Sequence, residues 1–343
     1  MKIRARAPLR IGISGGGTDV PPYCDVYGGL VLNATIDKYA YTTIETTTGD
    51  VVSFKADDIQ VEEVVELKDF PLYGGKLKLH SAVYSYMMLN YNDGVFLPLK
   101  VSTYCDAPIG SGLGSSSTIV VSLVSAFCNL LDLSFDDYQL AKLAFYIERK
   151  LCGLKGGSQD QYAAAFGGVN FMEFCKDNHV IVNSLRIKER ILCEFESSLI
   201  LYFSGISRES ADIISQQSRC LEEKKASSLE AMHNLKFETK RMKDALLMGD
   251  FEIIVDSLNK GWISKKKSSS SVSNAQINQI FEAAINAGAK AGKISGAGGG
   301  GFILFFVPLE KRKKVLNVLA QFNGFATGCH FTKHGAQSWR IKE

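Results

Sequence analysis

Apolar and polar residues alternate over residues 2–13, the period of a strand with one buried face. Residues 29–33 and 38–46 repeat the pattern, and Tyr39, Tyr41, Thr42, Thr43 and Ile44 favour extended backbone. Further strands are expected at 51–55 and 99–104, with a helix between them over 79–90. Near Ser116 the period lengthens, and Ile119, Val120, Leu123, Val124, Phe127, Leu130 and Leu131 fall on one broad helical face. A second helix follows, opened by Ser134 and Asp137 as a capping pair and carrying Tyr138, Ala141, Ala144 and Ile147 at helical spacing. A short helix closed by Gly167 and Gly168 leads to strands at 169–174 and 180–184. The charged stretch 186–190 reads as a boundary, and 343 residues exceed what one small core holds, so two domains are expected, 1–186 and 187–343. The second opens on an apolar strand at 199–203. A long helical pattern runs from 210 to 258, broken near Gly249 and Asp250; a Lys/Ser stretch at 265–271 reads as a solvated loop. A helix over 274–287 ends at Gly288, and a strand follows at 302–307. The fold class is α+β.

Glycine-rich segments interrupt this pattern at three places. Residues 106–118, Asp-Ala-Pro-Ile-Gly-Ser-Gly-Leu-Gly-Ser-Ser-Ser-Thr, join a strand to a helix. Bare amides there can turn onto an anion, and the helix N-terminus adds partial positive charge. That suits a phosphate cradle, though a Gly/Ser-rich helix start that binds nothing has the same composition. No Lys follows the glycines, so this is not a Walker A loop. The first strand ends in Gly15-Gly16-Gly17-Thr18-Asp19, either backbone close to a ligand with Asp19 offered to hydroxyls, or a turn. Residues 293–301 contain Gly296 to Gly301 in G-x-G-x-x-G spacing, but they precede a strand, whereas the dinucleotide fingerprint follows one.

Composition excludes more than it assigns. A net charge of +3, from 39 basic and 36 acidic residues, gives no field for nucleic acid. No apolar stretch approaches a membrane span, and the basic residues before position 11 lead into no apolar signal segment. Eight cysteines without a C-x-x-C pair fit a reducing compartment, so a cytoplasmic protein is expected. His330 and His334 have no carboxylate at metal spacing. Taken alone, Glu148 near a helix end reads as a charge on a solvated helix face, and Asp160, after glycines at a helix start, reads either as an acid favoured by the helix dipole or as a carboxylate presented to a substrate hydroxyl.

Taken in order, residues 7–19, 108–117 and 293–301, with Gly-x-x-Asp-Gln around Asp160, resemble the motifs of the GHMP kinase superfamily: galactokinase, homoserine kinase, mevalonate kinase and phosphomevalonate kinase. The resemblance spans nearly the whole chain. Within the superfamily, Ala-Pro-Leu-Arg-Ile-Gly-Ile-Ser-Gly-Gly-Gly-Thr-Asp, Gly-Gly-Leu-Val-Leu-Asn-Ala-Thr-Ile-Asp and Ser-Gly-Ala-Gly-Gly-Gly-Gly-Phe are most similar to the bacterial D-glycero-D-manno-heptose 7-phosphate kinases. The galactokinase branch carries Glu where this chain has Gly16.

The resemblance implies two α+β domains, the first like ribosomal protein S5 and the second ferredoxin-like, with the site between them. It implies ATP-dependent phosphorylation of the anomeric hydroxyl of a heptose 7-phosphate, on the way to nucleotide-activated heptose for capsule or other surface polysaccharide. The partner is then a small sugar phosphate, not nucleic acid or membrane. Pro108, Gly110, Ser111, Gly112, Leu113, Gly114, Ser115, Ser116 and Ser117 would hold ATP phosphates, and Ser116 and Glu148 would hold Mg²⁺. Asp160 would orient or accept the proton of the attacking hydroxyl, with Arg10 beside it. Gly15, Gly16, Gly17, Thr18, Asp19, Gly157, Arg208, Gly298 and Gly299 would face the sugar. Arg208, Lys155, Lys265 and Lys266 are candidates for the 7-phosphate. A kinase for fucose, galactose or another alcohol is the alternative within the superfamily. A non-catalytic ATP/sugar sensor could have lost Asp160 or Arg10, and both are present.

Overall fold

The alternation at the N-terminus forms one long strand, β1 (Lys2–Ser14). A computed structural model describes residues 1–108, 110–177, 179–207, 210–222 and 226–342. After β1 come α1 (Tyr23–Tyr27), β2 (Gly29–Thr46), β3 (Val51–Ala56), β4 (Val61–Glu66), α2 (Lys78–Tyr91) and β5 (Leu99–Cys105). Helices α3 (Ser115–Leu130) and α4 (Asp137–Phe145), a π-helical turn (Tyr146–Leu151) and α5 (Gln159–Phe166) lead to β6 (Val169–Phe174) and β7 (Val180–Ser184). The second half holds α6 (Glu189–Ser197), β8 (Leu199–Phe203), α7 (Ser210–Glu222), α8 (Ala226–Met248), α9 (Phe251–Ser268) and α10 (Ala275–Ala287). It ends with β9 (Ala291–Ile294), β10 (Phe302–Phe306), α11 (Arg312–Leu319), β11 (Phe325–Thr327) and β12 (Gln337–Ile341).

The first sheet runs β12-β1-β2-β5-β3-β4, with β6 on the far half of β2 and β7 beside β6; the second runs β11-β8-β10-β9. Among the described residues, only the β3–β5 pairing is parallel. Helices α2 to α5 cover one face of the first sheet around Val120, Val124 and Phe127. The other face packs on the second sheet and on α8 and α9, so Leu9, Ile11, Leu201 and Leu304 share one core. A third core lies between the outer face of the second sheet and α10 and α11.

Several expectations need correction. Residues 29–46 form one strand, not two. Pro8 pairs with Tyr39 and Arg10 with Thr35, so the polar Asp37 and Lys38 sit in an irregularity of the ladder rather than in a loop. The same shift divides β1: Ile3, Ala5 and Ala7 join the helix-side core, and Leu9, Ile11 and Ile13 the other. The cap of α4 is Asp136 with Gln139, a reciprocal pair two residues on from the expected Ser134 and Asp137. Residues 265–268 belong to α9, not to a solvated loop. The last strand, β12, pairs antiparallel with β1, so 337–341 sit with the first sheet rather than with the rest of 187–343. The polar edge strand β4 and the four-residue β9 carried too little alternation to be seen in advance.

Two stability outcomes follow. Leu304 is 1% exposed in the core shared by both halves. Leu304→Ala should cost ~2–5 kcal/mol in denaturant unfolding, with the two halves still unfolding in a single transition; separate transitions would contradict a shared core. His80 is buried on α2, with Nε2 2.8 Å from Thr103 Oγ1, and burial pulls its imidazole down to about 4 from 6.5. The unfolded chain therefore takes up this proton at a higher pH than the folded one, so the contribution is present above pH 6.5 and lost as pH falls toward 4. His80→Gln should remove up to ~3 kcal/mol of the stability lost across that window, read as a flatter pH dependence of the unfolding midpoint.

Candidate active site

The segment between β5 and α3 delivers the glycine–serine loop to a helix N-terminus, where unpaired amides and the helix dipole favour an anion. Gly114 is the residue before α3, in the left-handed region at φ +80°, and a Cβ there would stand 3.1 Å from the Asp160 carboxyl carbon. Glycine thus lets the loop lie against that carboxylate. Asp160 projects from the first turn of α5. Opposite it, β1 presents Arg10 just past its register shift, as bulges do when they re-aim a side chain. Arg10 Nε and Nη2 donate to Asp160 Oδ1 at 2.7 and 2.6 Å. Its Nη1 donates to Gly112 O at 2.7 Å and to Ser295 Oγ at 3.3 Å.

A second carboxylate sits at the other side of the loop. The π-helical turn carries Glu148, fully buried; such turns concentrate at functional sites. Ser116 Oγ donates to its Oε1 at 2.8 Å, Gln161 Nε2 to its Oε2 at 2.6 Å, and Arg149 Nη1 lies 3.2 Å from Oε1. Arg149 also donates to Ser117 Oγ at 3.2 Å. A third carboxylate, Asp19, accepts from Gly17 N and Gln159 Nε2, each at 3.0 Å. Burial, and then the nearby charge of Asp160, push the Asp19 carboxyl up, while its backbone hydrogen bonds oppose the rise. A Cβ on Gly157 would fall 1.9 Å from Asp19 Oδ2, so only glycine fits.

These groups line one cleft of about 620 Å³. Of the residues singled out from sequence, Arg10, Gly17, Asp19, Gly110, Gly112, Gly114 to Ser117, Glu148, Lys155, Gly157, Asp160 and Lys265 line it. Ala56, Ile59, Leu77, Leu79 and Ile119 give it an apolar stretch, beside Lys76, Lys78, His80 and Asp58 Oδ1, which is buried with no partner among the described residues.

Others of that set stand behind the surface. Thr18 Oγ1 donates to Gly15 O and Leu30 O, which shapes the first loop, and a Cβ on Gly15 would strike Leu30 O. Gly16 O accepts from Lys265. Pro108 O accepts from Ser111 N, Ser111 O from Phe302 N, and Leu113 O from Arg10 N. Gly298 and Gly299 pack on Val272 rather than on the cleft, and Gly299 N donates to Val272 O at 2.8 Å. The third glycine segment therefore supports the second: a Cβ on Gly112 would fall 2.4 Å from Ser295 O. Arg208 lies outside the described residues.

Sequence reasoning underrated Lys265. Ile254, Leu258, Trp262, Lys265 and Ser268 form the buried stripe of α9, and Lys265 is 3% exposed. The three-and-four spacing of that stripe is the signal that could have found it. Lys266 instead lies over the Trp262 ring, and Lys155 is exposed at the cleft rim.

Residues 78–168 match the model of the GHMP kinases N terminal domain, and residues 242–324 that of the GHMP kinases C terminal region. The D-glycero-alpha-D-manno-heptose 7-phosphate kinase of Campylobacter jejuni is 44% identical over 339 residues, 99% of each chain. The crystal structure of a D-glycero-D-manno-heptose 1-phosphate kinase from Bacteroides thetaiotaomicron is 41% identical, with a TM-score of 0.84 over 99% of this chain and 100% of that one. Lactococcus lactis galactokinase, 16% identical, shares the fold at a TM-score of 0.76 over 98% and 95%. On these matches, which take in both halves and the loop that faces Asp160, the chain belongs to the GHMP kinases and, with them, to the enzymes that move a phosphoryl group from ATP to an alcohol.

Proposed function

We propose that the protein phosphorylates the anomeric hydroxyl of D-glycero-D-manno-heptose 7-phosphate with ATP, giving the 1,7-bisphosphate, a step toward nucleotide-activated heptose for surface polysaccharide. The substrate class rests on the end-to-end 44% identity with the Campylobacter jejuni enzyme. The observation that carries the chemistry is the Asp160 carboxylate, held by two nitrogens of Arg10 directly against the loop at the α3 N-terminus.

The ATP phosphates take the amides of 110–117, and the apolar stretch of the cleft takes the base. Ser116 Oγ and Glu148 Oε1, 2.8 Å apart, are two hard oxygen donors, and among the described residues no three metal-binding side chains cluster. That donor set fits Mg²⁺, which takes one or two protein oxygens and fills the rest of its shell with phosphate and water; when bound, the ion neutralises phosphate charge. Asp19, fixed by Gln159, accepts from sugar hydroxyls. Lys155, exposed at the rim, is placed to meet the 7-phosphate. The anomeric hydroxyl donates to Asp160. As its oxygen bonds to the γ-phosphorus, the bond from that phosphorus to the bridging oxygen of ADP breaks and the proton passes to Asp160. Positioning and charge compensation supply most of the rate. Dependence on ATP assigns the reaction to the cytoplasm.

Incubation with ATP, Mg²⁺ and heptose 7-phosphate should yield, by mass, the bisphosphate, whereas fucose, galactose and mevalonate should give little product. Preference for any of these would overturn the substrate assignment. Asp160→Asn, with folding checked by circular dichroism, should lower kcat by ~10²–10⁴. Near-normal turnover would remove Asp160 from the chemistry.

A further inference from the structure

Lys265 is a cleft cation whose work the assignments above leave open. It projects from the buried stripe of α9, and its Nζ donates to Gly16 O at 3.1 Å and Gly296 O at 2.6 Å. It therefore rests on two carbonyls rather than on a carboxylate. An ammonium has three N–H groups. The third has no partner among the described residues, and the side chain lines the cleft. Burying a cation in this way is costly unless something compensates it.

Its position relative to the reacting groups follows from Gly16. A Cβ placed there would stand 3.6 Å from Lys265 Nζ and 3.7 Å from Gln159 Nε2. Gln159 holds Asp19 and is the neighbour of Asp160 in α5. Lys265 and the two acceptor-side carboxylates thus surround the same end of the cleft, at Gly17 and Gly114. Arg10, the other cation here, has every nitrogen engaged: Nε and Nη2 on Asp160, Nη1 on Gly112 and Ser295. Its charge is committed to holding Asp160, and Lys265 keeps a donor for a ligand.

We propose that Lys265 is a second catalytic residue of this centre, its ammonium contacting the phosphoryl group in transit between nucleotide and acceptor hydroxyl. This rests on the kinase reading above and adds a residue to it. Lysine is suited to the task as a compact charge with rotatable donors, aimed where negative charge passes in a water-poor site. The groups facing it agree. Burial lowers its ammonium to about 8; the carboxylates of Asp19 and Asp160 oppose that, and Arg10 adds to it. Lys293, buried one layer beneath with Nζ 2.6 Å from Gly12 O, is itself pushed well down by burial and by Lys265. The charged form of Lys265 is thus held with little to spare, and an arriving phosphoryl oxygen would secure it.

The test is Lys265→Met, which keeps the stem and removes the charge. Wild-type turnover on heptose 7-phosphate is measured first. If there is none, the substrate assignment fails by itself, and the variant is assayed with whichever acceptor the wild type uses. The expected result is a fall in kcat of ~10²–10³, with KM for the sugar phosphate and Kd for ADP within about threefold of wild type. Unchanged kcat overturns the proposal. So does a raised KM at normal kcat, which would make Lys265 the holder of the 7-phosphate. Should the variant not fold, the wild type decides. Its Lys265 ammonium, followed by NMR with ¹⁵N-lysine, should titrate at higher pH once ADP, Mg²⁺, aluminium fluoride and sugar phosphate are added. An unmoved titration counts against the role.

Discussion

Arg10 is where four remote segments meet. One guanidinium from β1 binds Asp160 of α5, the Gly112 carbonyl of the phosphate loop and the Ser295 hydroxyl before β10. Its side chain is 4% exposed and that of Asp160 18%. A planar cation with a fixed fork of donors can be buried only if those donors are met, so the pair and the backbone around it have one arrangement rather than several. The strand irregularity that points Arg10 into the cleft also sends Leu9 and Ile11 into the core shared with the second sheet. The feature that builds the centre therefore also joins the two halves.

The glycines divide into two kinds once that centre is in view. Those at 110, 112 and 114 line the cleft. Those from 296 onward, of which Gly296 also reaches the cleft, let a second layer of backbone press on the first: a Cβ on Gly301 would meet Ser111 O at 2.3 Å, and one on Gly296 would meet Gly112 Cα at 2.9 Å. A cradle of bare amides is soft on its own. Backbone stacked on backbone stiffens it, and preorganised donors matter more to phosphoryl transfer than any single covalent step.

What could be read in advance followed from how local each signal was. The strand–loop–helix at 99–130 announced itself through a change of period and a run of glycine and serine, and it stands where expected. Residues 265–268 did not, because three lysines and a serine run suggest solvent unless the helical stripe is followed across Trp262. The Arg10–Asp160 contact spans 150 positions, and only a family resemblance could pair them. Gly298 and Gly299 were assigned to the sugar because glycine signals close approach without naming the partner; here the partner is Val272. The return of β12 to β1 left no trace in a five-residue strand whose residues are all at least partly exposed.

The charges of the floor explain why a structure would tolerate such a centre. Lys265 and Lys293 are both buried on carbonyls, and Arg10 has one carboxylate. Asp19, the other carboxylate at this end, takes its hydrogen bonds from amides, with burial raising its pKa. Asp19 and Asp160 offset part of the cost of burying Lys265, while the direct partners of Lys265 and Lys293 are carbonyl dipoles. A nucleotide and a sugar phosphate supply the missing negative charge. Binding and stability are linked wherever a ligand favours the folded state, and here the link is electrostatic. Cations placed this way weaken the empty fold and strengthen the loaded one, which concentrates binding energy at the point where charge moves.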